Sequence, residues 1–190
     1  MGKTYDKLDD ALIEFIKAQK MFFVATAPLS PDGHVNVSPK GYDSFAVIDE
    51  TTVAWLDLGG SGIETMAHLK ENQRITVMFC AFEGKANIVR LYGKGEAVQL
   101  DDPRFADLMK LFPNFEKARA IVTINVDRVS DSCGWGVPFY DFKGERDQLK
   151  RTWDHAYEKH GDAVDEKFYV SNAASIDGLP GMTRPQEAAK

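Results

Sequence analysis

Cysteine is scarce in this chain: only Cys80 and Cys133 occur in 190 residues. Their spacing matches neither a disulfide framework nor a zinc site. The four histidines, His34, His68, His155 and His160, are scattered, and the last two do not share a helical face. A metal centre is therefore not expected. No unbroken apolar stretch nears the roughly 20 residues of a spanning helix, so no membrane partner is expected. Basic residues are also short, with 23 Lys and Arg against 29 Asp and Glu for a net charge of −6. Nucleic-acid binding needs a basic face, so that class is set aside. There is no GxSxG elbow, no P-loop and no GxGxxG in a βαβ frame. With no self-sufficient set of catalytic side chains, any reaction is expected to depend on a bound cofactor. The start reads as no signal peptide, so a reducing cytoplasm is the expected home.

What is present reads as one globular domain. Hydrophobic residues make up 44% and charged residues 27%, enough for a sizeable core in a single unit over 1–190. Leu8, Leu12, Ile13, Phe15 and Ile16 outline an amphipathic helix with Asp6 as its expected cap. Met21 to Ala27 is a short apolar strand, and Ser30-Pro31-Asp32-Gly33 is a turn leading into a second strand. Ser44 to Ile48 and Thr52 to Leu58 form another hairpin, so these strands point to an antiparallel meander. Arg74 to Phe82 and Asn87 to Gln99 follow, the latter carrying Gly93 and Gly95, which mark a bulge or bend. After a helix over Asp102 to Phe112, Ala118 to Val129 alternates again. The expected fold is mainly β (α+β): a six-stranded antiparallel split β-barrel with peripheral helices. A helix from Gly144 to His160 and a polar arm or frayed tail from Asn172 to Lys190 follow this core, which spans about 8–129.

Three stretches have features that bear on function. In His34-Val35-Asn36-Val37-Ser38-Pro39-Lys40-Gly41, Val35 and Val37 face one way and Asn36 and Ser38 the other, as a half-buried strand requires. Pro39 cannot donate to a ladder, so pairing stops there or continues at an edge. Lys40 at the strand end is either a solvated charge or a cation placed for a phosphate or an anionic ring. Leu58-Gly59-Gly60-Ser61-Gly62 enters a short helix, from about Ile63 to Lys70. It is either a flexible connection or a set of free N–H groups suited to an anion. In Ser130-Asp131-Ser132-Cys133-Gly134-Trp135-Gly136-Val137-Pro138, two glycines flank Trp135, which must pack on the core, a partner chain or a flat ligand.

Together, the hairpin into VNVSPKG, the strand ending in a Gly/Ser loop, the helix closing with LKEN, RITVMF and the glycine-bent strand resemble the pyridoxamine 5′-phosphate oxidase-like family of flavin-binding split barrels. The likeness runs from about Leu8 to Val129, and the Ser132–Pro138 and Ser175–Gly181 motifs look like one branch of that family. The resemblance implies FMN, with deazaflavin F420 as the alternative, bound between two subunits of a homodimer. It further implies a flavin-dependent oxidoreductase acting on a small molecule with NAD(P)H as a candidate donor; a non-catalytic flavin- or F420-binding barrel is the other reading. By position, it places Val37, Ser38, Pro39 and Lys40 along the flavin and the backbone of Leu58 and Gly59 beside its ring. Ser61, Gly62 and Thr65 fall in the phosphate loop. Arg90 lies on the partner side and Trp135 forms a lid from the opposite subunit. One departure stands out. Where the phosphate-binding oxidases carry Ser-Arg-Lys, this chain has Ile63-Glu64-Thr65. Two cations are lost and a carboxylate is gained, so Lys40 is the expected side-chain cation.

Overall fold

A computed structural model describes residues 2–184. Eight strands and five helices alternate irregularly. β1 (Thr4–Tyr5) and α1 (Asp10–Ala18) precede β2 (Phe22–Thr26) and β3 (Asn36–Lys40), and then come β4 (Phe45–Val47) and β5 (Thr52–Asp57). α2 (Glu64–Asn72) leads to β6 (Arg74–Cys80) and β7 (Ile88–Gln99). α3 (Phe105–Met109), β8 (Ala120–Ser132), α4 (Gln148–His160) and α5 (Ala163–Ser171) complete the order. Among the described residues, no helix is long and apolar enough to cross a membrane.

All pairings are antiparallel, and the strand order is β3-β2-β6-β7-β8-β5-β4, with β1 added to β8. The antiparallel sheet agrees with expectation. The expected count of six strands does not: the stretches singled out in the sequence form seven strands, Ser44–Ile48 supplying the short β4, and β1, too short to show any period, adds an eighth. The expected meander is also corrected. The two early hairpins lie at opposite ends of the sheet, with β3 and β4 consecutive in sequence yet unpaired. That gap is the split in the barrel.

Strand periodicity explains why the sheet curls around a core. Phe22 and Val24, Val53 and Trp55, Val77 and Phe79, and Val89 and Leu91 alternate inward with Val122 and Ile124. Leu8, Leu12 and Ile16 of the α1 region pack on this cluster, and Phe45 meets Phe22 and Phe79 edge-on across the split. Each such fully buried apolar side chain contributes roughly 1.5–3 kcal/mol. β5 and β8 are buried on their second faces as well. There Ala54, Leu56 and Ile121 pack with Phe112, while Ala120, on the same side of β8 as Val122, packs among Ile63, Met66, Phe168 and Met182. A bulge falls between Tyr92 and Gly93, where an added Cβ would meet the Asn125 carbonyl oxygen at 2.1 Å. The glycine-marked bend is thus at its expected place.

The helix ends differ in detail. Asp9, not Asp6, caps α1, accepting from the Leu12 N–H at 2.8 Å. α3 covers only part of the expected 102–112 span. Asp102 is instead held in a turn by Arg104, whose N–H donates to the Asp102 carboxylate. α4 starts at Gln148 rather than Gly144, and α5 was not expected. The described part of the polar tail is an arm packed on the body: Met182 is buried, and Lys70 donates to the Gly181 carbonyl. Residues 185–190 of that tail lie outside the described residues.

Candidate functional site

β3 is an edge strand paired only to β2, which accommodates Pro39. The expected alternation is present, and its polar face is the one turned inward. Val35 and Val37 are 71% and 61% exposed, whereas Asn36, Ser38 and Lys40 are half-buried. The polar residues point inward because they border a cavity, not the core. Asn36 Nδ2 donates to Thr65 Oγ1 at 2.9 Å, and Ser38 Oγ donates to Asn36 Oδ1 at 3.3 Å. Lys40 Nζ lies 5.5 Å from the ring centre of Trp55, at the split.

Facing these residues is the loop that joins β5 to α2. Gly59, Gly60 and Gly62 all have positive φ, at 84°, 152° and 89°. The constraint is steric as well as conformational at Gly59, where an added Cβ would meet Phe168 Cε1 at 2.7 Å. At Gly60 the same atom would meet nothing within 4 Å, so the loop has open space beside it. α2 then starts at Glu64 without a side-chain cap at Ile63. The cavity between β3 and this loop measures about 70 Å³ and is lined by polar groups, among them Ser38, Lys40, Ser61, Gly62 and Thr65. An open glycine at position 60, a helix start without a side-chain cap, three hydroxyls and a lysine fit an oxyanion the size of a phosphate.

Arg119 was not anticipated. It is 5% exposed and pairs with Asp57 at 3.1 Å, with both side chains buried. It also donates to the Gly60 and Gly62 carbonyls at 3.3 and 2.9 Å and to Asn172 Oδ1 at 2.9 Å. The only sequence signals were a lone arginine entering an apolar strand and a lone aspartate leaving another. Buried charges require partners, but the sequence could not say that these two, 62 residues apart, meet. Because Arg119 and Asp57 offset each other, Lys40 and Glu64 remain as the cavity's opposed charges. Glu64 Oε1 accepts from the Ile176 N–H of the arm at 3.3 Å.

The other expected residues are spread more widely. Leu58 and Gly59 sit next to each other, but Leu58 opens onto a second cavity of about 580 Å³, bordered by Tyr42, Phe115, Trp153 and Tyr157. Val37 and Pro39 occupy the exposed face of β3. Arg90 is on β7 and donates to Ser132 Oγ at 3.1 Å, away from the β3 cavity. Trp135 is 85% exposed, which rules out the core-packing reading of that loop. Within one chain, therefore, Ser38, Lys40, Gly59, Ser61, Gly62 and Thr65 come together, and Arg90 and Trp135 do not join them.

The arm contacts the same region. His34 Nδ1 lies 2.6 Å from Asp177 Oδ1, and the His34 N–H donates to Asp177 Oδ2 at 2.8 Å. These bonds hold the Asp177 carboxyl below the usual carboxylate range. On α2, His68 is fully buried, with Nδ1 2.9 Å from Thr26 Oγ1 and Nε2 without a partner. Burial pushes its pKa down, against weaker opposing pulls from Asp177, Glu71 and Glu64.

Similarity to known proteins agrees with this architecture. The family model for pyridoxamine 5′-phosphate oxidase matches residues 8–133. The pyridoxamine 5′-phosphate oxidase family protein ustO of Aspergillus flavus is 37% identical over 94% of this chain and 77% of its own length. Two solved structures share the fold. A point variant of HupZ from Group A Streptococcus has a TM-score of 0.54 at 20% identity, covering 65% of this chain and 98% of that one. A Lactobacillus delbrueckii protein named for pyridoxamine 5′-phosphate oxidase has a TM-score of 0.50 at 19% identity, covering 66% and 94%. With a family match over more than half its length and a relative above 30% identity along nearly all of it, the chain belongs to the pyridoxamine 5′-phosphate oxidase family.

Proposed function

We propose that this protein is a flavin-dependent oxidoreductase that binds FMN at the split of the barrel, at an interface between two copies of the chain. The carrying observation is the open glycine loop facing Ser38 and Lys40 across a small polar cavity. Its size and donor set suit a phosphate, and the larger cavity, lined by Leu58 immediately before Gly59 in the chain, has room for a flat ring and a small substrate. A bound flavin supplies hydride or electron transfer, chemistry for which this chain's own side chains offer no substitute. The chain's residues bind and orient it. Lys40, Ser61, Thr65 and the loop N–H groups hold the phosphate, and Ser38 and the Leu58 backbone border the ring.

The dimer rests on apolar surface. Trp135 and Phe139 are 85% and 80% exposed, and Val35 and Val37 are also in water. Trp135 and Phe139 lie four residues apart on one loop and Val35 and Val37 share one side of the β3 edge, and exposed apolar side chains grouped in this way support a contact surface. In this reading Arg90 and Trp135, distant from their own chain's cavity, serve the site of the second copy.

The test is anaerobic addition of NADH or NADPH to the flavin-loaded protein. The expected result is loss of flavin colour with at least one of them, and its return on admitting air. A flavin-loaded protein that neither donor reduces would instead be a flavin carrier, and preferential uptake of F420 would overturn the FMN assignment.

A further inference from the structure

The loop that faces the cavity is held from behind by a guanidinium. Arg119 uses four donor contacts at once: Asp57 Oδ2, the Gly60 and Gly62 carbonyls, and Asn172 Oδ1. A trans peptide is planar, with its N–H directed opposite its C=O. Drawing the Gly60 and Gly62 carbonyls toward Arg119 therefore turns the N–H groups of Ser61 and Ile63 away from it. Among the described residues, neither N–H has a hydrogen-bond partner. Both residues line the small cavity. A second contact fixes the same loop, since the Gly59 N–H donates to Asp57 Oδ1 at 3.3 Å.

The outer anchor of this arrangement comes from an unexpected part of the chain. Asn172 follows α5, is 2% exposed, and donates from Nδ2 to the Phe168 carbonyl while its Oδ1 accepts from Arg119. Its backbone carbonyl accepts from the Met182 N–H, so the arm closes over it. The family match ends at residue 133, well before Asn172. The C-terminal region thus reaches the glycine loop through this buried amide as well as through Phe168, which lies against Gly59.

We infer that Arg119, fixed by Asp57 and Asn172, is a positioning residue for the phosphate end of the cofactor site. It presents the Ser61 and Ile63 N–H groups to the anion and is not itself the anion's main donor, because four of its five N–H groups are already committed. This rests on the FMN reading above. A planar fork is needed to hold two carbonyls and a carboxylate together; a lysine ammonium at the same place satisfies Asp57 but not the loop.

FMN and riboflavin share the ring and differ by the phosphate, so their relative affinity isolates the loop from the rest of the site. The variants are Arg119→Lys, Asn172→Leu and Asn172→Asp, the last keeping an acceptor for Arg119. Circular dichroism is recorded for each, and the Asn172 pair decides if Arg119→Lys does not fold. The parent is expected to favour FMN over riboflavin. Arg119→Lys and Asn172→Leu are expected to lose about tenfold in FMN affinity with riboflavin affinity unchanged, and Asn172→Asp to retain the preference. Variants that keep the parental ratio, or that lose both ligands equally, would reduce Arg119 to a scaffold role and overturn the inference while leaving FMN binding intact. A parent with no preference for FMN would overturn the inference together with the phosphate assignment itself.

Discussion

Replacing Lys40 by alanine is expected to separate cofactor binding from folding. Among the described residues, Lys40 and Arg119 are the two cations lining the small cavity, and Arg119 is committed to Asp57. Lys40 is therefore the cation available to an anion there. A hydrogen bond to a charged group contributes about 1.5–3 kcal/mol, so its loss should weaken FMN binding about ten- to a hundredfold. The fold should be little affected. What the lysine gives the protein is its placement 5.5 Å from the buried Trp55 ring, a cation–π contact from a half-buried ammonium worth about 1 kcal/mol. For a chain of this length that corresponds to a fall in melting temperature of about 2–4 °C or less. The backbone pairing of Lys40 with Phe22 does not depend on the side chain. The assay is FMN titration by fluorescence quenching, with circular dichroism melts for both proteins. Lys85→Ala is the control, since Lys85 sits exposed in the turn between β6 and β7. An unchanged FMN affinity for Lys40→Ala would refute the reasoning and leave Lys40 as a solvated strand end.

Two further outcomes follow from the same structure. His68 is buried with its pKa lowered, so the unfolded chain binds more protons than the folded one once pH falls below about 6.5. Stability should therefore decline as pH drops from about 7 toward 5, and His68→Gln should show a shallower decline in urea midpoints; parallel curves for the two proteins would contradict this. Replacing Trp135 and Phe139 together by serine should weaken self-association in sedimentation equilibrium at micromolar concentration, because both are largely exposed in one chain. A parent that sediments as a monomer would contradict the two-copy site.

The strands were legible because their alternation is enforced by a core on one face: β6, β7 and β8 stand close to where their apolar periods place them. The order of strands was not legible. Nothing local in the β2–β3 and β4–β5 hairpins says they close opposite ends of one sheet. Alternation also leaves the sense of a strand open. The pattern of β3 is the same whether its valines or its polar residues face inward, and the cavity decided for the latter. α5 escaped notice because only Val164 and Phe168 are buried on it, too few to mark a stripe. At the site, Lys40 and the glycine loop could be singled out from residue chemistry. Arg119, Asp57 and Asn172 could not, since their partnership exists only once three distant segments meet.

In the proposed reading the glycine loop and Lys40 form a flavin site. Its most direct test is titration of purified, flavin-free protein with FMN, following flavin fluorescence and protein concentration together. The expected result is saturable binding with equal numbers of FMN and chains at the end point. Absence of saturable binding by a folded protein would contradict that reading.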